Sequence, residues 1–383
     1  MNASGESRTP PDLGGEKLDS EDEFLETEWD KYSEQPYPIR HRRGIWQRLQ
    51  YSLSDYVKTI ATTIVLLPFI LLYQVALNFG VRPSGWKRRN ESVKDFAGLA
   101  IALHSSDAAS NAALVRELGV KKLLLRIPVW EIDQLDKYIG FIDSLPDCDF
   151  CVCIMQTRKE VVDADRWREK LRLIVRACWP RVKAFQIGQG VNRTKWGFFS
   201  TGEFLAFANV AEEIREEFPG IQFIGPCVLD FETIPLIRGI THGHRIFWDT
   251  VGCALYVDRR GSPRNRQLLL FDFRQKLLHF IACIRFANKA NRRFWITEVN
   301  WPIANQGPYS PTHEPDCVDE KDAAVFLRQY YEDSWDSGLV ERVYWWQLIA
   351  KGFGLVDVEE DGSLRKRPGF YAFKRMLENG FND

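Results

Sequence analysis

At 383 residues, with 45% hydrophobic and 27% charged side chains, the chain has globular composition and length for one large domain or two medium ones. Fifty-one Lys and Arg against 52 Asp and Glu leave a net charge of −1, so there is no chain-wide basic excess for nucleic acid. Thirteen tryptophans are the less ordinary figure, because indole rings give binding clefts flat apolar faces with one polar edge.

Residues 1–34 carry eleven acids and three basic residues with few periodic apolar positions, which predicts a disordered acidic tail rather than a cleavable signal peptide. Residues 35–58 turn basic and aromatic, with Arg40, Arg42, Arg43, Trp46, Arg48 and Lys58, as a juxtamembrane segment would. Residues 59–81 hold no formal charge over 23 positions centred on IVLLPFILLY. As a helix they would reach about 34 Å, enough for a ~30 Å hydrocarbon core, and Pro68 is tolerated there. A single-pass membrane helix is the expectation; the alternatives are a hydrophobic helix packed on the following domain or lying in the membrane interface. Basic residues flank it equally, through the linker 82–95, so the side of the membrane on which the remainder lies stays open.

From 96 to 383, short apolar runs alternate with longer amphipathic stretches, the pattern of repeated βα units. Eight strands are predicted at 96–103, 122–127, 150–155, 184–188, 222–226, 251–256, 294–297 and 342–347. Helices are predicted at 108–118, at 203–218 opened by a capping box from Ser200 to Glu203, at 267–288 and at 320–337, with 231–240 the least regular. Eight units in this length predict a closed (β/α)8 TIM barrel in the α/β class; the Gly-rich first turn of a doubly wound sheet is absent. Cys148, Cys151 and Cys153 lack a fourth ligand for a metal, and Cys151 and Cys153 share one strand face, so buried thiols are expected. No metal or cofactor is implied.

In such a barrel chemistry gathers at the carboxyl ends of the strands. Those ends carry His104; Arg126, Trp130 and Glu131; Gln156 and Arg158; Gln189, Asn192, Lys195 and Trp196; Asp230 and Glu232; Tyr256 and Asp258; Glu298, Asn300 and Trp301; and Trp345, Trp346 and Gln347. Trp130, Trp196, Trp301, Trp345 and Trp346 are expected around one mouth, although one of Trp345 and Trp346 should face the helices. Indoles mixed with amides and carboxylates fit a sugar, which offers an apolar C–H face and a hydroxyl edge. An aldolase would need a strand-end Lys in an apolar pocket, and Lys195 lies beyond its turn.

FWITEVNWP at 294–302 resembles the strand-seven motif of the large clan of retaining (β/α)8 glycoside hydrolases, where a Glu at the strand end is the nucleophile. The resemblance makes Glu298 the candidate nucleophile, Tyr256 its supporting Tyr and Arg126 the strand-two Arg. AFQIGQGVNRTKWG at 184–197 sits where the clan carries an Asn-Glu pair, and GLVDVEEDGSLRKRPGFYAF at 354–373 is similar to the clan's ending. Gln189 then stands at the Asn position and Gly190 where the acid/base Glu belongs. Retention uses two carboxyl groups about 5–5.5 Å apart, so either another acid enters the cleft, with Glu131, Asp230, Glu232 and Asp258 as candidates, or a good leaving group needs little acid assistance and the enzyme is slow or transglycosylating, or the barrel binds glycan without cleaving it. Sugar contacts are expected from His104, Arg126, Gln189, Asn192, Trp196, Asn300, Trp301, Trp345, Trp346 and Gln347. These readings imply a membrane-tethered glycoside hydrolase-like protein acting on a cell-surface or exported polysaccharide, with oligo- or polysaccharide and membrane as partners and no nucleic acid. The alternative is a catalytically degenerate glycan-binding or scaffold protein of envelope polysaccharide assembly.

Overall fold

The computed structural model describes residues 28–37, 45–83, 86, 92–257 and 261–381. The strands are β1 (Trp29–Asp30), β2 (Gln35–Pro36), β3 (Ala97–Ala102), β4 (Lys122–Pro128), β5 (Asp149–Met155), β6 (Ala184–Ile187), β7 (Gln222–Ile224), β8 (Val228–Leu229), β9 (Val251–Ala254), β10 (Phe294–Val299), β11 (Arg342–Trp345), β12 (Val356–Val358) and β13 (Leu364–Lys366). The helices are α1 (Ile45–Asn78), α2 (Val93–Phe96), α3 (Ala108–Leu118), α4 (Leu135–Asp143), α5 (Arg158–Val162), α6 (Ala164–Cys178), α7 (Thr201–Asn209), α8 (Ala211–Glu217), α9 (Thr233–Ile240), α10 (Phe273–Arg285), α11 (Glu320–Ser337) and α12 (Pro368–Asn379).

Every predicted barrel strand is present. The main sheet runs β7-β6-β5-β4-β3-β11-β10-β9-β8, with its neighbours parallel, and Ile224 pairs with Thr250 just before β9, so the sheet curls closed. Apolar runs such as AGLAIA and FWITEV are buried along their whole length because one strand face meets the barrel interior and the other the helices. Inside lie Ala100, Ala102, Leu124, Cys151, Cys153, Trp295 and Tyr344 in one cluster, so the two cysteines do share a face. Gly98 makes room for Tyr344: a Cβ there would lie 2.5 Å from the ring. Caps set the helix limits, with Asp107 and Gly119 bounding α3 and Asp319 and Gly338 bounding α11. The expected helix 203–218 is broken into α7 and α8. Its capping box is half made: Ser200 accepts from the Glu203 amide, but the Glu203 carboxylate turns to the Phe199 amide and to Arg158.

Two departures concern the chain ahead of the barrel. Residues 28–34 are not a disordered tail. β1 and β2 form a small antiparallel pair, and Asp30 accepts hydrogen bonds from Ser33 Oγ and the Tyr32 amide to close the turn between them. The expected tail from 1 to 27 lies outside the described residues. The apolar segment is the latter part of a 34-residue helix, and 26 of its residues, Leu53–Asn78, are long and apolar enough to cross a membrane.

That helix rests on α9 and α10. Thr59, Thr63, Ile70, Gln74 and Leu77 are buried against the barrel, whereas Leu53, Val57, Ile60, Ile64, Val65, Phe69, Leu72, Val75 and Phe79 are exposed. Asp55 pairs with Arg238 at 3.0 Å and accepts from the Gly202 amide at 2.7 Å. Nineteen residues on, Gln74 Oε1 lies 2.8 Å from His279 Nδ1, while Asn78 donates to Gln275 at 3.2 Å. Replacing Gln74 by Leu should strand a buried imidazole nitrogen and destabilise the protein by about 1–3 kcal/mol, measurable as a lower denaturation midpoint.

Candidate functional site

β10 carries Glu298 to the barrel mouth, and its pairing with Ala254 of β9 brings Tyr256, two residues past that strand's end, alongside. Tyr256 donates its hydroxyl proton to Glu298 Oε1. Arg126, from β4, forms an ion pair with Oε2, and Gln189 Nε2 donates to the same oxygen at 2.7 Å. Gln189 is itself fixed: Gln186 Nε2 donates to its side-chain oxygen at 2.8 Å, and Gln156 accepts from its amide at 2.9 Å. The Arg126 guanidinium lies 3.3 Å from the Trp346 ring centroid. Burial pushes the Cys153 thiol up to about 12, so this neighbour of Gln189 is a neutral wall. The pattern is a strand-end carboxylate with three donors aimed at it, in a cavity of about 230 Å³ that Trp196, Asn300 and Trp346 also line.

The strand-four position has no room for a second carboxylate. Gly190 has φ +60°, and a Cβ would fall 2.2 Å from the Trp196 ring. Gly190→Glu should therefore displace Trp196, lower the melting temperature by the equivalent of roughly 2–4 kcal/mol and restore no acid function; a stable, more active variant would contradict this.

Glu131, Asp230 and Glu232 are held in contacts with neighbouring side chains. Glu131 accepts from Lys137 at 2.7 Å and Tyr138 at 2.6 Å. Burial would raise its pKa, but those hydrogen bonds outweigh it and hold the carboxyl below the usual range. Asp230 lines the cavity but pairs with Arg193 at 2.7 Å, and Glu232 joins the same arginine. Asp258 lies outside the described residues. Asn192 is a staple rather than a cavity residue: it bonds both the amide and the carbonyl of Leu229, at 2.8 and 2.9 Å.

The tryptophan ring divides. Trp196 and Trp346 line the cavity. Trp301 does not: it is fully buried behind the sheet, stacked 5.8 Å from Trp345 and packed on Phe326 and Tyr330. A strand's last residues alternate in direction, so Trp345 faces the helices and Trp346 the mouth. Trp130 is partly exposed in an adjoining cleft. Among the described residues no His, Cys, Asp and Glu cluster is close enough to hold a metal ion.

The residues that sequence reasoning missed come from the segment read as tail. Trp29 sits among His104, Trp130 and Trp196, with ring centroids 5.5, 5.2 and 5.9 Å away. Gln347 Nε2 donates to both Glu34 oxygens, at 2.8 and 2.9 Å, and Glu34 lines the same cavity as Glu298. Burial raises the Glu34 carboxyl to about 7, against hydrogen bonds from Gln347 and Ser105 and the charge of Arg126. His104 lies beside it, pushed down to about 4 by burial and then by Arg126. Gln35 accepts from Lys195 and donates to the Pro311 carbonyl at 3.2 Å, while Tyr32 meets Tyr309 edge-on at 5.4 Å. The strap formed by 28–37 thus touches the loops after β3, β4, β6, β10 and β11. The available signal was the aromatic content of WDKYSEQPY, which breaks the acidic run before it.

No family model matches the chain, and no curated protein matches it in sequence. Solved structures do match in fold. A family 1 β-glucosidase from Thermotoga maritima superposes with a TM-score of 0.57 at 12% identity, over 76% of this chain and 99% of that one. The Thermotoga maritima β-glucosidase in complex with noeuromycin gives 0.57 at 12%, over 78% and 100%. A family 39 glycoside hydrolase from Bacteroides cellulosilyticus WH2 gives 0.55 at 13%, over 76% of this chain and 64% of that one. The fold is that of the glycoside hydrolase TIM barrels.

Proposed function

We propose that this chain is a membrane-associated glycoside hydrolase-like protein that acts on an oligo- or polysaccharide of the cell surface or an exported one, with Glu298 as nucleophile. The observation that carries the reading is the strand-end position of Glu298 with Tyr256, Arg126 and Gln189 all bonded to its carboxylate. Those donors orient one oxygen for attack and stabilise charge there as the bond to carbon changes. In the first step a Glu298 oxygen bonds the anomeric carbon while the glycosidic C–O bond breaks, its electron pair leaving on the aglycone oxygen. Water then attacks the anomeric carbon of the glycosyl ester as the bond to the Glu298 oxygen breaks, freeing the sugar and the carboxylate and giving its second proton to solvent. With Gly190 in place of an acid, the departing oxygen leaves as an anion or takes its proton from water, which favours activated leaving groups or transfer to an acceptor sugar. Trp346 and Trp196 supply stacking faces, and Asn300 with Gln347 supplies hydroxyl partners. The test is incubation with a panel of 2-deoxy-2-fluoroglycosyl fluorides and peptide mass analysis, with an adduct expected on Glu298. Absence of an adduct across the panel would sink the catalytic reading.

A second reading is favoured by the Gly190–Trp196 contact alone: a barrel that binds glycan without cleaving it. It predicts sugar binding that survives Glu298→Gln, with turnover in neither form.

A further inference from the structure

We propose that α1 lies in the plane of a lipid surface and, together with the leucines at 268–270, seats the barrel side-on against it. This rests on the membrane association proposed above and specifies its geometry. Asp55 and Gln74 grip the barrel at opposite ends of the apolar stretch, about 28 Å apart along the helix axis, which is close to the thickness of a hydrocarbon core. If α1 crossed the bilayer, Arg238, His279 and the flanks of α9 and α10 would have to sit in hydrocarbon with it. The polarity of α1 is also unusual for a soluble helix: Thr59, Thr63 and Gln74 join Ile70 and Leu77 on the face toward protein, and Val57, Ile60, Ile64, Val65, Phe69, Leu72 and Val75 face out. Near its end, Leu268, Leu269 and Leu270 are 76%, 84% and 70% exposed. Arg82, Arg264, Arg266 and Arg274 line the groove between this loop and the end of α1 together with Asp272, Asp333 and Asp336, which leaves the groove a small positive excess toward anionic head groups.

The test uses the full chain with an epitope at each end, bound to sealed vesicles of phosphatidylcholine with phosphatidylglycerol or of phosphatidylcholine alone. Both epitopes should be protease-accessible from the same side, and Leu268→Ser/Leu269→Ser/Leu270→Ser should lower partitioning at least tenfold with unchanged melting. Weaker binding without phosphatidylglycerol supports the arginine contribution. Epitopes on opposite sides would overturn the in-plane geometry while leaving membrane association intact. A chain that floats with neither vesicle would overturn both, and an unaffected triple variant would overturn the role of the leucines.

A different set of contacts carries a second inference: we infer that residues 28–37 are the cleft's own occupant, and that a glycan reaches Glu298 only after this strap leaves. Trp29 fills the space between Trp130 and Trp196 that an apolar sugar face would take, and the Gln347 amide nitrogen is shared between the Glu34 carboxyl and the Ile349 carbonyl, which leaves it no donor for a ligand. What is left beside Glu298 is about 230 Å³, next to a second hollow of about 370 Å³ with which it shares Arg193, Asp230, Tyr256 and Thr312. Access can be read without catalysis. In a Cys317→Ser background, Asn300→Cys places a thiol in the cavity wall, and its reaction with glucosyl methanethiosulfonate should be at least tenfold faster after Trp29→Ala/Glu34→Ala. An unchanged rate, or loss of cooperative unfolding in the strap variant, would overturn the inference. Labelling of Glu298 by the fluoroglycosides should rise by a similar factor in the strap variant. Labelling that falls while access rises would assign Glu34 to the chemistry and overturn blockade. Faster thiol reaction with no labelling in any variant would leave the strap standing and remove the nucleophile.

Discussion

Glu298→Gln is expected to abolish both the fluoroglycoside adduct and turnover of aryl glycosides, with a loss on the order of 10⁴-fold or more in kcat. The exchange keeps the shape, but its single amide oxygen can accept from Arg126 and Gln189 or from Tyr256, not from both sides, and the buried ion pair with Arg126 is lost, so the melting temperature should fall as well. The nucleophilic oxygen is lost because an amide oxygen does not form the glycosyl ester. Arg126→Lys should act more mildly, since a point charge can remain near Oε2 while the stacking on Trp346 is lost. If Glu298→Gln turns over substrate as fast as the parent, the nucleophile lies elsewhere. A pronounced dependence on leaving group, with dinitrophenyl glycosides cleaved and alkyl glycosides not, is expected from the missing acid and would be absent if another carboxyl served in its place.

The second large effect is on pH. Docking holds the Glu34 carboxyl at about 7, against an ordinary value of 4.5. Because its docked value is raised, docking is strongest below 4.5 and weakens by up to tenfold per pH unit as pH rises to about 7, above which the loss is complete. Exposure of the strap, read by hydrogen exchange at 28–37 or by the Asn300→Cys reaction rate, should therefore grow on the order of 10²-fold across this window. The groups facing Glu34 are Gln347, Ser105, His104 and Arg126. His104, down at about 4, is neutral throughout most of the window, so the slope belongs to Glu34. Glu34→Gln should flatten the profile. A parent profile already flat, or a slope surviving in Glu34→Gln, would remove Glu34 as its source.

The barrel was legible because its strands are buried on both faces, which leaves continuous apolar runs such as FCVCIM between polar ends, and because caps such as Asp319 and Gly338 are written locally. Glu298, Tyr256, Arg126 and Gln189 were legible by position: each lies within two residues of a strand's carboxyl end, and parallel register brings such residues to one mouth. Direction was harder. Trp301 and Trp345 also follow strand ends, but the register shift of β10 between Ile296 and Val299 is a matter of pairing rather than composition, and both indoles point away from the mouth. The strap was illegible for another reason. Glu34 meets Gln347 across 313 positions, and nothing within ten residues of either announces the partner. For α1 the signal was present: Thr59, Thr63 and Gln74 recur on one helical stripe, whereas a helix surrounded by lipid needs no such face.

Strap and anchor are consecutive in the chain. Tyr37 closes the strap and Ile45 opens α1, so the connection cannot exceed roughly 28 Å however it is drawn. The segment covering the cleft is thus on a short leash whose far end is the helix proposed to meet lipid. A bilayer that drew the first turns of α1 toward itself would pull on residues 28–37, and a polysaccharide that lifted the strap would shift load onto the anchor.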